Sequence, residues 1–521
     1  MKEDKYKLQR LQLYKYFAYT LVKIQFWHLG HTNTISFFIC LEAMAAFQEG
    51  LSEDAFVLNP EKASLFDLLS LLLSPQLENR RFIDCPGSGS QHQSFRKRWT
   101  IFVSVIVQKL LFWATKPMAF MGNSIEMGLN LLSANADPSH LLLNLATGKL
   151  EWPKRSSATF TSSIGSTDVR TELDQSIKAG DPKYKASLSA MASKISYENE
   201  AFVETIVTQL WKMKFVKFYN FWNDCRERDS TQAFILQDTQ ANPNLFVVAF
   251  RGTSPFDADD WRTDADLSWC KLEAMDNSRA HNGFMQALGL QKNKGWPEEI
   301  EQVNNGGHQF AYYTLREKLR EILQENEEAK FILTGHSLGG ALAILFPSVL
   351  MLHKEKWLLN RLDGVYTFGQ PRVGDEKFGE YMKENMRKFD VKYFRYVYCN
   401  DMVPRVPYDD KNTLFKHFGP CLFFNSFYVG KVLPEEPNKN YFSLLWVIPK
   451  VVNAIWELNR GFILPYMYGP NYKEGWFLRL LRLTGLLIPG LSAHSPQDYV
   501  NSTRLGTLPD NQLRVHQLTR D

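Results

Sequence analysis

With 521 residues, 45% hydrophobic and 22% charged, the chain can fill two or three ordinary domains, or one large domain with an extra segment, and it is too aromatic to be disordered. A formal net charge of +4 is small for this length, and basic residues alternate with acidic ones, as in Arg316-Glu317-Lys318, so nothing favours nucleic acid as a partner. The six cysteines (Cys40, Cys85, Cys225, Cys270, Cys399, Cys421) are widely spaced and form no CxxC pair, so neither a disulfide framework nor a zinc site is expected, and a reducing, cytosol-facing compartment fits best.

The apolar stretch Leu13 to Trp27 is broken by Lys15 and Lys23 and has no small-residue cleavage site after it, which makes a poor secretory signal. Residues 1–54 are left as an unassigned extension. Asn59-Pro60-Glu61 has the form of a helix N-cap with proline at the first helical position. Ser64, Asp67, Ser70 and Ser74 then draw a narrow polar stripe along a leucine-rich helix, which suits an interfacial helix or a buried core helix equally. A basic cluster, Arg96-Lys97-Arg98, leads into the apolar run Ile101–Trp113. Lys116-Pro117 interrupts, and a second apolar run follows from Met118 to Leu132.

At about 15 residues each and about 1.5 Å per residue, neither arm reaches the ~30 Å of a bilayer core. The proline predicts a hairpin that enters and leaves a lipid monolayer on one side, with a buried helical hairpin as the alternative, since Lys109 and Glu126 interrupt the arms. Residues 55–150 are therefore expected to form an apolar helical lipid-droplet or membrane-binding region. Ser, Thr and Gly between Ser156 and Asp181 suggest a linker, placed at 151–185.

From 186 to 521 short β-rich runs alternate with helices. Phe215–Phe221, Ala233–Gln237, Leu245–Phe250, Lys330–Thr334, Gly364–Phe368 and Val391–Tyr398 read as strands. Thr314–Glu327 and Leu338 to about His353 read as helices, so the sheet is expected to be mostly parallel. Gly335-His336-Ser337-Leu338-Gly339-Gly340 lies between a strand and an apolar helix. Its glycines permit the sharp turn that lifts a serine hydroxyl clear of a sheet, making Ser337 the candidate nucleophile; His336, inside the turn, is expected to pack or hydrogen-bond locally.

A serine needs a histidine base and an acid to orient it, here expected in the order Ser, Asp, His. Asp363, Asp375, Asp401, Asp409 and Asp410 follow Ser337. Asp401, just after a strand, is favoured, with Asp375 as the alternative. Of His417, His494 and His516, the loop-borne His494 is chosen. Phe250-Arg251-Gly252-Thr253-Ser254 continues a strand and can offer an oxyanion donor at Thr253, or form an ordinary Gly-Thr turn.

Four blocks resemble the signature of fungal-type (class 3) lipases: Phe250-Arg251-Gly252-Thr253, Gly335 to Gly340, Gly369-Gln370-Pro371-Arg372-Val373-Gly374-Asp375 and Asn400-Asp401-Met402-Val403-Pro404. The resemblance implies an α/β-hydrolase fold, a catalytic triad of Ser337, Asp401 and His494, and an oxyanion hole at Thr253 and Leu338. It places the lid in the segment through Trp261, Asp264 and Trp269. Over roughly residues 55–506 it extends to plant oil-body triacylglycerol lipases.

These likenesses imply hydrolysis of stored neutral lipid at a lipid-droplet (oil body) surface, from the cytosolic face, with the endoplasmic reticulum membrane as a second location. No metal or cofactor is implied. A phospholipase A1 or galactolipase on the same site, or an inert droplet-coat protein, are the alternatives. Tyr441–Tyr466 is left as either a second lipid contact or a cover on the core.

Overall fold

The structure, a computed structural model, describes residues 57–508 apart from 75–79, 85–94, 136–137, 242, 293–294, 298–306, 408, 410–414, 440, 442–445, 470–471 and 473. The expectations for residues 1–54, Cys40, Cys85, Asp410 and His516 fall outside the described residues.

The chain begins with a two-residue antiparallel pair, β1 (Val57–Leu58) with β2 (Ile83–Asp84), around helix α1 (Leu65–Leu73). Asn59 makes no side-chain cap; Pro60–Lys62 is a short 3-10 turn. The N-cap is Ser64, which closes a reciprocal capping box with Asp67, because Asp67 is the third residue of the helix and its carboxylate reaches back to the Ser64 N–H.

Helix α2 spans Phe95–Ala134 without a break, running through Pro117, where the sequence predicted a hairpin. A proline removes one backbone donor and crowds the preceding turn, but it does not force a reversal when the helix continues to bury residues on both sides of it. Ile101 and Val105 are buried before Pro117 and Asn130 after it. At 1.5 Å per residue, 40 residues extend about 60 Å. Among the described residues α2 alone is long and apolar enough to cross a membrane, by length and composition. Helix α3 (Pro138–Ala146) follows.

Within residues 156–181, expected to be a linker, the stretch 160–170 is largely packed into the hydrolase, while 171–181 is half-buried or exposed. Asp168 and Arg170 are buried and paired at 2.7 Å, Arg170 donates to Asn501 at 2.7 Å, and Asn130 of α2 donates to the Thr161 carbonyl at 2.8 Å. Here serine and threonine serve side-chain to backbone bonding and not flexibility.

Helices α4 (Tyr184–Ile195) and α5 (Glu200–Thr205) precede the main sheet. Its strands are β3 (Lys214–Asn223), β4 (Arg228–Asp238), β5 (Leu245–Phe250), β8 (Lys330–His336), β9 (Leu362–Phe368), β10 (Lys392–Tyr398), β11 (Cys421–Phe424) and β12 (Gly430–Leu433). In space the order is 12-11-10-9-8-5-4-3. Strands 5, 8, 9, 10 and 11 pair parallel, while 3, 4 and 12 are antiparallel. The parallel strands are largely buried, β5 along its whole length, because both faces of the sheet are covered.

On one face lie α7 (Asn282–Leu288), α8 (Ala311–Gln324) and α9 (Leu338–Leu352); on the other lie α4 and α14 (Pro496–Arg504). This is an α/β-hydrolase architecture. A small hairpin, β6 (Trp269–Leu272) with β7 (Ser278–His281), follows the short helix α6 (Ala258–Asp264). Helix α11 (Glu376–Lys388) leads into β10, and α12 (Val447–Tyr468) with α13 (Trp476–Leu487) fills the long insert before α14.

Candidate active site

Ser337 sits at the turn from β8 into α9 with φ +59° and ψ −130°, a conformation that L-residues rarely adopt. Its glycine neighbours are required by close approach. A Cβ on Gly335 would fall 2.1 Å from the Gly339 carbonyl carbon, and one on Gly339 would fall 2.2 Å from the Phe250 oxygen. The Ser337 N–H donates to the Phe368 oxygen at 2.9 Å, tying the turn to the end of β9. Leu338 is the first residue of α9, so its N–H belongs to the unsatisfied positive end of the helix.

Asp401 follows β10 and is fully buried. Its Oδ1 accepts the Val403 N–H at 2.9 Å, and its Oδ2 lies 2.7 Å from Nδ1 of His494. His494 is held in the 3-10 turn Ser492–His494, and its Nε2 is buried with no hydrogen-bond partner among the described residues. Gly369, at φ +61°, makes room for the pair. A Cβ there would be 2.9 Å from His494 Cε1 and 3.0 Å from Asp401 Oδ2.

Thr253 lies on the loop after β5, next to the serine turn, since a Cβ on the preceding Gly252 would be 2.4 Å from the His336 oxygen. The Thr253 hydroxyl donates to Asp264 of α6 at 2.8 Å. Burial, with Asp260 adding a like charge, pushes the Asp264 carboxyl up to about 7. The structure thus gathers Ser337, Leu338, Thr253, Asp401 and His494 around one end of the parallel strands.

The other candidates are elsewhere. Asp375 caps α11 through the Phe378 N–H at 2.8 Å. Asp363 pairs with Lys185 and Asp409 with Lys439. His417 lies against the Pro404 carbonyl at 2.7 Å.

The family model for lipase (class 3) matches residues 247–411, which contain the serine turn and Asp401. The triacylglycerol lipase OBL1 of Nicotiana tabacum is 43% identical over 486 residues, covering 80% of this chain and 85% of that protein. Its Arabidopsis thaliana counterpart is 42% identical over 509 residues, covering 90% and 98%. This chain belongs to the class 3 lipases. A lipase of Rhizomucor miehei is similar at 27% over 198 residues, 35% of this chain and 47% of that protein.

In this lipase further residues support the site from inside the four sequence blocks and from outside them. Tyr499 of α14 donates its hydroxyl to Asp401 Oδ2, and its own proton is held well above the usual phenol range by burial and then by the Asp401 charge. His336 lies 2.8 Å from the Tyr197 hydroxyl through Nδ1 and 2.9 Å from the His494 carbonyl through Nε2. Burial, then the nearby His494, depresses its basicity. That fits the local role the sequence suggested for it. Arg372 and Arg395 share the buried Glu436 at 2.7 and 2.9 Å, bracing the Gly-Gln-Pro-Arg block.

The segment expected to hold the lid is packed under α2. Ser104 donates to the Ala265 carbonyl at 2.8 Å, the Arg262 guanidinium lies 5.1 Å above the Phe112 ring, and Gly122 meets Phe256. Trp269 is buried, stacked on Phe415 at 3.7 Å. Among the described residues no group of three or more His, Cys, Asp or Glu is placed to hold a metal ion.

Proposed function

We propose that this chain hydrolyses triacylglycerol at a lipid-droplet surface through Ser337, His494 and Asp401. The observation that carries the reading is His494. Its Nδ1 is engaged by a buried carboxylate, its Nε2 is buried and without a partner among the described residues, and its ring lies 4.5 Å from that of His336, the residue before the strained Ser337. A neutral imidazole fixed by Nδ1 leaves Nε2 as the base.

Ser337 Oγ attacks the ester carbonyl carbon while His494 Nε2 takes the hydroxyl proton. The oxyanion receives the N–H groups of Leu338 and Thr253. The C–O bond to the glycerol oxygen breaks, and that oxygen takes the proton back from His494. Water then enters by the same route, and the acyl chain leaves as a fatty acid with Ser337 regenerated.

Support for the lipid surface comes from helices α1 to α3, which expose Phe66, Leu73, Trp113, Phe120 and Leu142 to solvent. An apolar display of that size in a soluble chain marks an interaction site. The test is to assay the purified protein side by side on triacylglycerol, phospholipid and galactolipid emulsions, with Ser337→Ala as control. Triacylglycerol is expected to be hydrolysed fastest, and the variant to lose all three activities while unfolding at an unchanged temperature. A preference for a phospholipid or galactolipid, or an active variant, would overturn the corresponding part of the reading.

A further inference from the structure

In α13 the apolar residues Trp476, Leu480, Leu483 and Leu487 fall at spacings of four, three and four and are all exposed, Leu487 by 70%. The opposite face buries Leu478, Arg482 and Gly485. Helix α12 repeats the pattern, burying Lys450, Glu457 and Arg460 while Phe462 and Tyr466 face outward. A helix of a water-soluble protein turns its apolar stripe inward and its charges outward. This pair turns charges inward, beside the buried Ala454, Leu464 and Leu478, and large apolar side chains outward.

The arginines inside are paired with carboxylates, and Lys450 lies 3.9 Å from the Tyr441 ring centroid. Arg460 and Arg482 both reach Asp498 of α14, and Arg482 also engages Glu474 and, at 3.6 Å, Glu457. The buried side of the insert is therefore fixed, and the apolar side faces outward by construction.

We infer that the exposed face of α12 and α13 is a second docking surface, fitted to a phospholipid-covered neutral-lipid surface. The inference rests on the lipase reading of the active site. Three observations choose this occupant. Helix α13 contains no acidic residue, so nothing on it repels phosphate headgroups. The turn joining the two helices is flanked by Tyr466, Tyr468 and Trp476, the amphipathic aromatics that settle at a headgroup boundary. The end of α13 abuts the catalytic turn. A Cβ on Gly485 would be 2.5 Å from Ser492 Oγ, two residues before His494, so lipid held here lies beside the proposed site of attack.

The test uses the full chain carrying Leu480→Glu with Leu483→Glu, assayed on a triolein emulsion coated with phosphatidylcholine and on soluble p-nitrophenyl butyrate. The emulsion area needed for half-maximal rate should rise at least tenfold, with the soluble-ester rate unchanged. The pair Leu480→Met and Leu483→Met should behave as wild type on both. Binding to the same emulsion, measured in a Ser337→Ala background, should weaken by the same factor; that readout needs no catalysis. A wild-type chain inactive on both esters would therefore defeat the lipase reading while binding still judged the surface. The docking inference is overturned by an unchanged emulsion dependence, by parallel loss on both substrates, or by a dimer that the glutamates split into monomers, which would assign the face to a second copy.

Discussion

Asp264 offers a pH test of the loop that carries Thr253. It is half-buried, accepts the Thr253 hydroxyl at 2.8 Å, and has no cation among its influences; its carboxyl is pushed from 3.8 up to about 7. Because the folded chain holds this proton more tightly than the unfolded chain, folding takes up a proton between those two values. Stability from this residue is therefore fully present below about pH 4 and is lost as pH rises towards 7 and beyond. About three pH units at ~1.36 kcal/mol each amount to ~4 kcal/mol lost across the window. Asp264→Asn keeps the shape and an acceptor oxygen for Thr253 but cannot ionise, so it should lack this slope. Unfolding of both proteins should be followed by denaturant titration from pH 4.5 to 8.5. The variant's stability should gain on wild type with rising pH, by up to ~4 kcal/mol at the alkaline end. Glu198, pushed up to about 7, remains in both proteins and cancels in the difference, whereas Asp260, pushed up to about 6, adds a like charge to Asp264 and belongs to the effect that the variant removes. Two parallel stability curves would refute the argument that Asp264 is held neutral by burial.

Asp401→Asn should lower turnover on a soluble ester by about 10⁴-fold, the scale expected when a triad acid is neutralised and the histidine tautomer is lost. Asp375→Asn, at a helix cap where asparagine serves about as well as aspartate, should leave both stability and turnover nearly intact; reversed effects in steady-state kinetics would exchange their roles. Gly369→Ala meets both a left-handed backbone and the His494–Asp401 pair, so turnover should fall at least tenfold, with a cost of about 1–2 kcal/mol read by thermal unfolding. A fluorescent fusion of residues 55–150 should collect on lipid droplets, and a diffuse cytosolic signal in microscopy would count against that region as the anchor.

The elements legible in the sequence were those whose cause is local. Glycines around Ser337 and apolar runs in β5, β8, β9 and β10 carry their conformation in their own residue types, and strand ends were placed within about two residues, except that β4 begins five residues earlier than read. Asp401 could be favoured over Asp375 because it directly follows a strand. What escaped were consequences of distant packing. Pro117 reads as a break, yet α2 continues because Ile101, Val105 and Asn130 are held by the rest of the fold on both sides of it. Ser162 and Ser163 read as linker, yet they are bound by Glu198 and Glu126, which lie 36 and 37 residues away. Tyr499 has no motif, and only the third dimension brings it to Asp401.

The adjacency of Asp498 and Tyr499 on one turn of α14 joins two properties that look separable. Asp498 anchors both insert helices by their arginines, and its neighbour holds the carboxylate behind His494. Excising residues 446–487 to obtain a minimal hydrolase would strand the Asp498 charge in the interior, a loss of several kcal/mol when a buried partner is removed. The damage would fall one peptide bond from the hydroxyl that steadies Asp401. Trimming the enzyme and keeping it active are thus opposed aims, and a compact variant has to begin by replacing Asp498, whose arginine partners Arg460 and Arg482 leave with the insert.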